Sequence, residues 1–219
     1  DRISLTYIDL KSKNNTLIKL NHFDTEVKKF DLEQLNFSIP KINLDGLAID
    51  FNQDEIPDFI EEKIEEVEKK SKIITPKIAI DQIQLSDIQL NYQNKIQKIY
   101  TKNSLKKLNL LIDQIDLGKN KIAINSLEID RLNTQLLLDK SNKAENKSVS
   151  NETKSESNDW EVQLKFLKFK DIQLGFDNNN SQPINKGIDY NHLLVSDLNF
   201  AAQNIKYQNN EITASIDSL

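Results

Sequence analysis

Cysteine and methionine are absent from this chain of 219 residues, glycine and proline occur four times each, and histidine twice. Each shortage closes off a chemistry. Without cysteine there are no disulfides, thiolate nucleophiles or zinc–thiolate centres, and the compartment stays open because a cysteine-free chain suits either redox environment. Four scattered glycines cannot build a phosphate-cradling loop or a dinucleotide fingerprint. His22 and His192 lie 170 positions apart beside strand-like alternation and read as ordinary sheet histidines. No serine stands in a G-x-S-x-G turn, and no calcium loop with its glycine is present. Acidic pairs such as Asp113 with Asp116, or Asp54 with Glu55, arise readily among 34 acidic residues. The expectation is a protein that is not an enzyme, with no catalytic residue, metal or cofactor.

Charge excludes another class. With 29 basic and 34 acidic residues spread along the chain, net −5, there is no electrostatic footprint for nucleic acid. No run approaches the roughly 18 apolar residues of a spanning helix, and the N-terminus lacks a basic-then-apolar signal pattern. The missing methionine, with Leu219 closing a strand-like run, reads as a segment of a longer protein.

What is abundant is isoleucine (28), leucine (27) and asparagine (26). Apolar residues alternate with polar ones in run after run, as in Ile88, Leu90, Tyr92 and in Ile172, Leu174, Phe176. Period two means half-buried strands, and a wetted second face favours antiparallel pairing. Markers also recur. Asp-Ile-Gln-Leu stands at 87–90 and 171–174, 84 apart, each followed two residues later by an aromatic. Leu-Asn occurs at 20–21, 108–109 and 198–199, and LDGLAID at 44–50 pairs with INSLEID at 124–130. Offsets this similar indicate an internal repeat. The units read as 1–75, 76–138 and an incomplete third over 160–219, with roughly five strands each and about 16 in all.

Two segments depart from the strand pattern. Pro57, an acidic first turn, a lysine-rich last turn and Ile56, Phe59, Ile60, Ile64, Val67 at helical spacing predict one amphipathic helix over about 55–72. Its polar face is acidic, which favours a lid on the sheet over a membrane-surface helix. Residues 139–159 hold only Ala144 and Val149 as apolar residues and predict a flexible polar loop. Trp160 follows it and reads as an anchor for the next strand.

The pattern [L/F]-x-D-I-x-L-x-[Y/F]-x-[D/N], carried by Leu85, Asp87, Ile88, Leu90, Tyr92, Asn94 and by Phe169, Asp171, Ile172, Leu174, Phe176, Asn178, resembles the AsmA-like and TamB-like proteins of bacterial envelopes. The N-terminal portion of TamB-type (translocation and assembly module) proteins of Bacteroidota-like bacteria is the nearest resemblance. ISLTYIDLKS at 3–12 departs from the pattern, lacking the Asp and misplacing the aromatic. The resemblance implies an all-β fold: an elongated antiparallel repeat sheet curved into a taco-like groove whose apolar face carries phospholipid acyl chains between inner and outer membranes. It further implies a periplasmic segment of an inner-membrane-anchored protein that meets an outer-membrane barrel partner through regions outside this segment. Residues two apart share a face, so the expected lipid-facing set is Ile88, Leu90, Tyr92, Leu108, Leu110, Ile122, Ile124, Ile172, Leu174, Phe176, Leu198, Phe200 and Ile212. Alternation alone does not separate a groove from a β-sandwich. The alternative function is a structural or adhesive β-repeat protein of the envelope, whose faces would close on themselves.

Overall fold

The computed structural model describes residues 1–11, 17–53, 75–140, 160–208 and 210–218. They form one mixed sheet of eleven strands. The strands are β1 (Arg2–Lys11), β2 (Leu17–Glu26), β3 (Lys29–Asp31), β4 (Asn36–Asp45), β5 (Ala48–Asn52), β6 (Lys77–Asn94), β7 (Ile99–Asp116), β8 (Lys121–Leu138), β9 (Glu161–Asn178), β10 (His192–Gln208) and β11 (Glu211–Ser218). The helix expected over 55–72 and the loop expected over 139–159 lie outside the described residues, apart from Asp139 and Lys140.

Two strand pairs are single columns with an interruption. Pro40 offers no N–H, and opposite it the ladder lapses between β2 and β3, resuming at Lys29↔Ser38 in the register of Glu26↔Lys41. β4 and β5 run alongside β6 in one direction, separated only by Gly46 and Leu47. The eleven strands therefore align as nine columns. These group in threes: β1, β2/β3 and β4/β5; then β6, β7, β8; then β9, β10, β11.

Inside each group neighbours are antiparallel, and the groups meet in parallel at β4/β5 with β6 and at β8 with β9. The sheet is thus mixed and not purely antiparallel. Parallel neighbours need a long crossover, and the stretches joining β5 to β6 and β8 to β9 are the two that the sequence sets apart as polar or helical. Each group supplies three columns; the first is built from five strands, as spacing suggested, and the other two from three each. One sheet also replaces the two packed sheets of the sandwich alternative.

A seam crosses this sheet. Tyr7, Asp87, Arg131, Asp171 and Asp197 lie inside strands yet have φ of 55°, 52°, 54°, 53° and 54°, and Gly46 joins them at 65°. Between β6 and β7 pairing keeps its register across the seam, with Ser86↔Lys107 on one side followed by Ile88↔Leu105 on the other, whereas β9 and β10 shift register there around Leu198. Just below it the apolar residues of β6 are Ile83 and Leu85, and above it Ile88, Leu90 and Tyr92. A three-residue step from Leu85 to Ile88 would switch faces in an unbroken pleat. The left-handed Asp87 interrupts the pleat and keeps both halves on one face, and Asp tolerates that conformation better than most residues.

Asp189 braces the end of the β9–β10 loop. Asp189 accepts hydrogen bonds from the backbone N–H groups of Ile184 and Asn191, each at 3.0 Å, and lies 3.0 Å from His192 Nδ1. These contacts, the Ile184 N–H foremost, hold its carboxyl below the ordinary carboxylate range against the opposing effect of desolvation.

Candidate functional site

Cross-strand pairing sorts the side chains into rows. One row reads Leu5, Phe23, Leu44, Leu85, Leu108, Ile129, Phe169, Phe200, apolar at every position. Two residues away runs Ile3, Thr25, Ile42, Ile83, Leu110, Leu127, Leu167, Ala202, Ile216. Its one polar member, Thr25, is buried, and its hydroxyl donates to the Lys41 carbonyl at 2.8 Å. The row between them reads Ser4, Asp24, Asn43, Gln84, Asn109, Glu128, Lys168, Ala201 and faces the other way. The sheet thus has one oily and one wetted face across its width.

Above the seam the oily face continues. Ile88, Leu105 and Leu132 pair in one row, and Ile172 pairs with Leu198. The next row holds Leu10, Ile18, Ile49, Leu90, Asn103, Thr134, Leu174 and Val195. Asn103 is accommodated there because its amide donates to the Leu90 carbonyl at 2.9 Å and to Thr101 Oγ1 at 3.2 Å. Beyond it stand Phe51, Tyr92, Thr101, Leu136, Phe176 and Leu193, with the Phe51 and Tyr92 rings stacked 6.1 Å apart. At the foot, Ile124 pairs with Ile112 and Leu164, and Ile122 with Ile115 and Val162; Tyr207 pairs with Val162 and Ile212.

Ten of the thirteen residues expected to face lipid lie in the rows of the oily face, and Ile122, Ile124 and Ile212 lie in the rows at the foot. Sequence reasoning passed over Leu85, Leu105, Ile129, Leu132, Leu167 and Phe169, which share the rows. The signal that could have found them is the three-residue step recurring at 85 to 88, 105 to 108, 129 to 132 and 169 to 172.

Burial on this face is uneven in an ordered way. Ile88 and Ile172, the first residues past the seam, are 6% and 3% exposed, whereas Leu90 and Leu174, two residues further on the same face, are 41% and 37% exposed. Leu20, beside the seam in β2, is buried as well. Among the described residues, strands with extensive contacts are always sheet neighbours, so no second layer packs on the oily face.

Charge collects on the seam instead. Lys106 pairs with Asp87 at 2.5 Å, and Asp130 meets Arg131 at 3.2 Å and Lys170 at 3.9 Å. Among the described residues no cluster of three or more His, Asp or Glu could hold a metal ion, and no helix is long and apolar enough to cross a membrane. Neither a family model nor a curated protein matches this chain.

Proposed function

We propose that the oily face is a non-enzymatic conduit for phospholipid acyl chains, and that the chain is a periplasmic segment of an envelope-spanning, inner-membrane-anchored bridge serving an outer-membrane barrel. The observation that carries the lipid reading is the exposure gradient from Ile88 to Leu90, repeated from Ile172 to Leu174. On a flat, uncovered face all four side chains would be similarly exposed. A sheet folded along the seam encloses the side chains nearest the crease and leaves those on its walls open, which makes a trough.

Energetics point the same way. A leucine-sized side chain left half-covered forgoes on the order of 1 kcal/mol of burial. Two apolar rows crossing eight columns therefore forgo about as much as the whole net stability of a domain, roughly 5–15 kcal/mol. Acyl chains laid in the trough restore about 0.8 kcal/mol per methylene, and an uncovered strip of this size is otherwise an aggregation hazard.

A photocrosslinker at position 90 or 174, with 91 and 173 as controls on the wetted face, tests the conduit in envelope membranes. Lipid adducts at Leu90 and Leu174 only are expected. Equal labelling at all four positions, or none at any, overturns the reading.

A further inference from the structure

We infer that a cleft at the foot of the sheet, between β6 and β7, is a side port that holds one single-chain amphiphile with its tail inside the sheet and its head at the rim. This rests on the acyl-chain reading above and adds a place of exchange to it.

The β6–β7 ladder runs from Asn94↔Ile99 down to Gln82↔Leu111 and stops there. Continuing the same register would set Ile78 against Ile115 and Ala79 against Gln114. No such pairs form, although both strands extend that far. The divergence coincides with a bulge in β7. Its pairing with β8 becomes irregular at Leu111, Ile112 and Gln114, and the carboxylate of the intervening Asp113 meets Lys165 Nζ on β9 at 2.7 Å. Below this bulge β7 no longer pairs with β6.

The space so opened is about 410 Å³, within the size range of small-molecule sites. Its lining is mostly apolar, with Phe37, Ile78 and Ala79 on one lip and Ile115 and Leu117 on the other. Ile78 and Ala79 are consecutive and so face opposite sides of the sheet. With β6 and β7 unpaired below Gln82↔Leu111, the gap between them joins the wetted face to the oily one. Lys77 and Asp116 mark its rim, where a polar head meets water. On the inner side Ile115 leads into the row of Ile122, Val162 and Tyr207. A tail entering here never has to pass the polar side chains of the outer face.

The chain carries its own reporter. Trp160 is the only tryptophan and immediately precedes Glu161, which pairs with Lys121 at the foot of the sheet. Titrating the purified protein with a dibrominated octadecanoate is expected to quench Trp160 saturably. Ala79→Phe, which fills the cleft from an exposed position, and Ile115→Asp should each weaken that binding tenfold or more, whereas Gln173→Ala, on the wetted face, should leave it unchanged. Circular dichroism checks that each variant is folded, and Ala79→Phe keeps the test decisive if Ile115→Asp is not. Saturable quenching untouched by Ala79→Phe would remove the port. Crosslinking at Leu90 and Leu174 without any quenching of Trp160 would also remove it while leaving the trough in place. Loss of both would remove the two together.

Discussion

Asp87 and Asp171, 84 positions apart, share one left-handed backbone conformation, with φ of 52° and 53°, and each directly precedes an isoleucine that is almost wholly buried. The repeated Asp-Ile-Gln-Leu is therefore the local sequence of the seam. The aspartate interrupts the pleat, the isoleucine after it is buried, and the leucine two residues further on is exposed. Other repeat markers resolve differently. Leu20 and Leu198 lie beside the seam, but their counterpart in β7 is Leu105, paired with Ile88, and not Leu108. Leu44 shares a row with Ile129, five positions from the Ile124 that LDGLAID and INSLEID would match to it.

The seam aspartate acts through its backbone more than its charge. Asp87→Val is expected to lower stability by about 1–3 kcal/mol, because a β-branched residue is poorly tolerated at positive φ. Asp87→Asn and Asp87→Gly should stay within about 1 kcal/mol, since each accepts this conformation and the exposed pair with Lys106 is worth little. Urea denaturation of the three variants checks the order. An equal loss in all three would move the explanation to the ion pair.

Tyr7 occupies in β1 the place of Asp87 in β6. It has φ of 55° and is 88% exposed, so its ring offsets little of the conformational cost. Tyr7→Asn should raise stability by about 1 kcal/mol, read as a higher denaturation midpoint. An unchanged or lower midpoint would show that the ring has an unrecognised role.

Gly46 is required twice over. Its φ is +65°, and a Cβ built there would collide with the side-chain amide of Asn21. Gly46→Ala should cost roughly 2 kcal/mol or more, and adding Asn21→Ala should recover only part of it, because the collision is relieved and the backbone conformation is not. Full recovery would mean that the conformation carries no cost.

A charge at buried Ile172 should cost more than one at exposed Leu174. Ile172→Asp buries an unpaired carboxylate and should lose about 3–5 kcal/mol. Leu174→Asp, reachable by water, should lose about 1 kcal/mol. Equal losses would argue for a closed core in place of a trough.

The β9–β10 loop should respond to acid. The carboxyl of Asp189 is held below its ordinary value, so the stability it contributes is present above the unfolded value, near pH 4, and disappears as pH falls through the folded value. The amide resonances of Ile184 and Asn191 should move together only below about pH 4. Asp189→Asn should abolish that acid step. Movement of these amides at neutral pH would contradict the assignment.

The sequence by itself determined the strand class, the two faces and the repeat, because side chains alternate at period two and a strand exposed on one face must write that alternation into its residues. It also contained the seam, as a three-residue step between apolar runs, but a step of three does not announce whether the chain turns, bulges or ends. Only tertiary pairing showed Leu85 and Ile88 to be neighbours across a left-handed aspartate. Column order was equally out of reach. That β8 lies parallel to β9, and β6 alongside both β4 and β5, depends on backbone hydrogen bonds between segments far apart in sequence, and those bonds leave no mark on side-chain periodicity. The same holds for the cleft beside Ile78 and Ile115, where the β6–β7 ladder ends at Gln82↔Leu111 beside the bulge in β7.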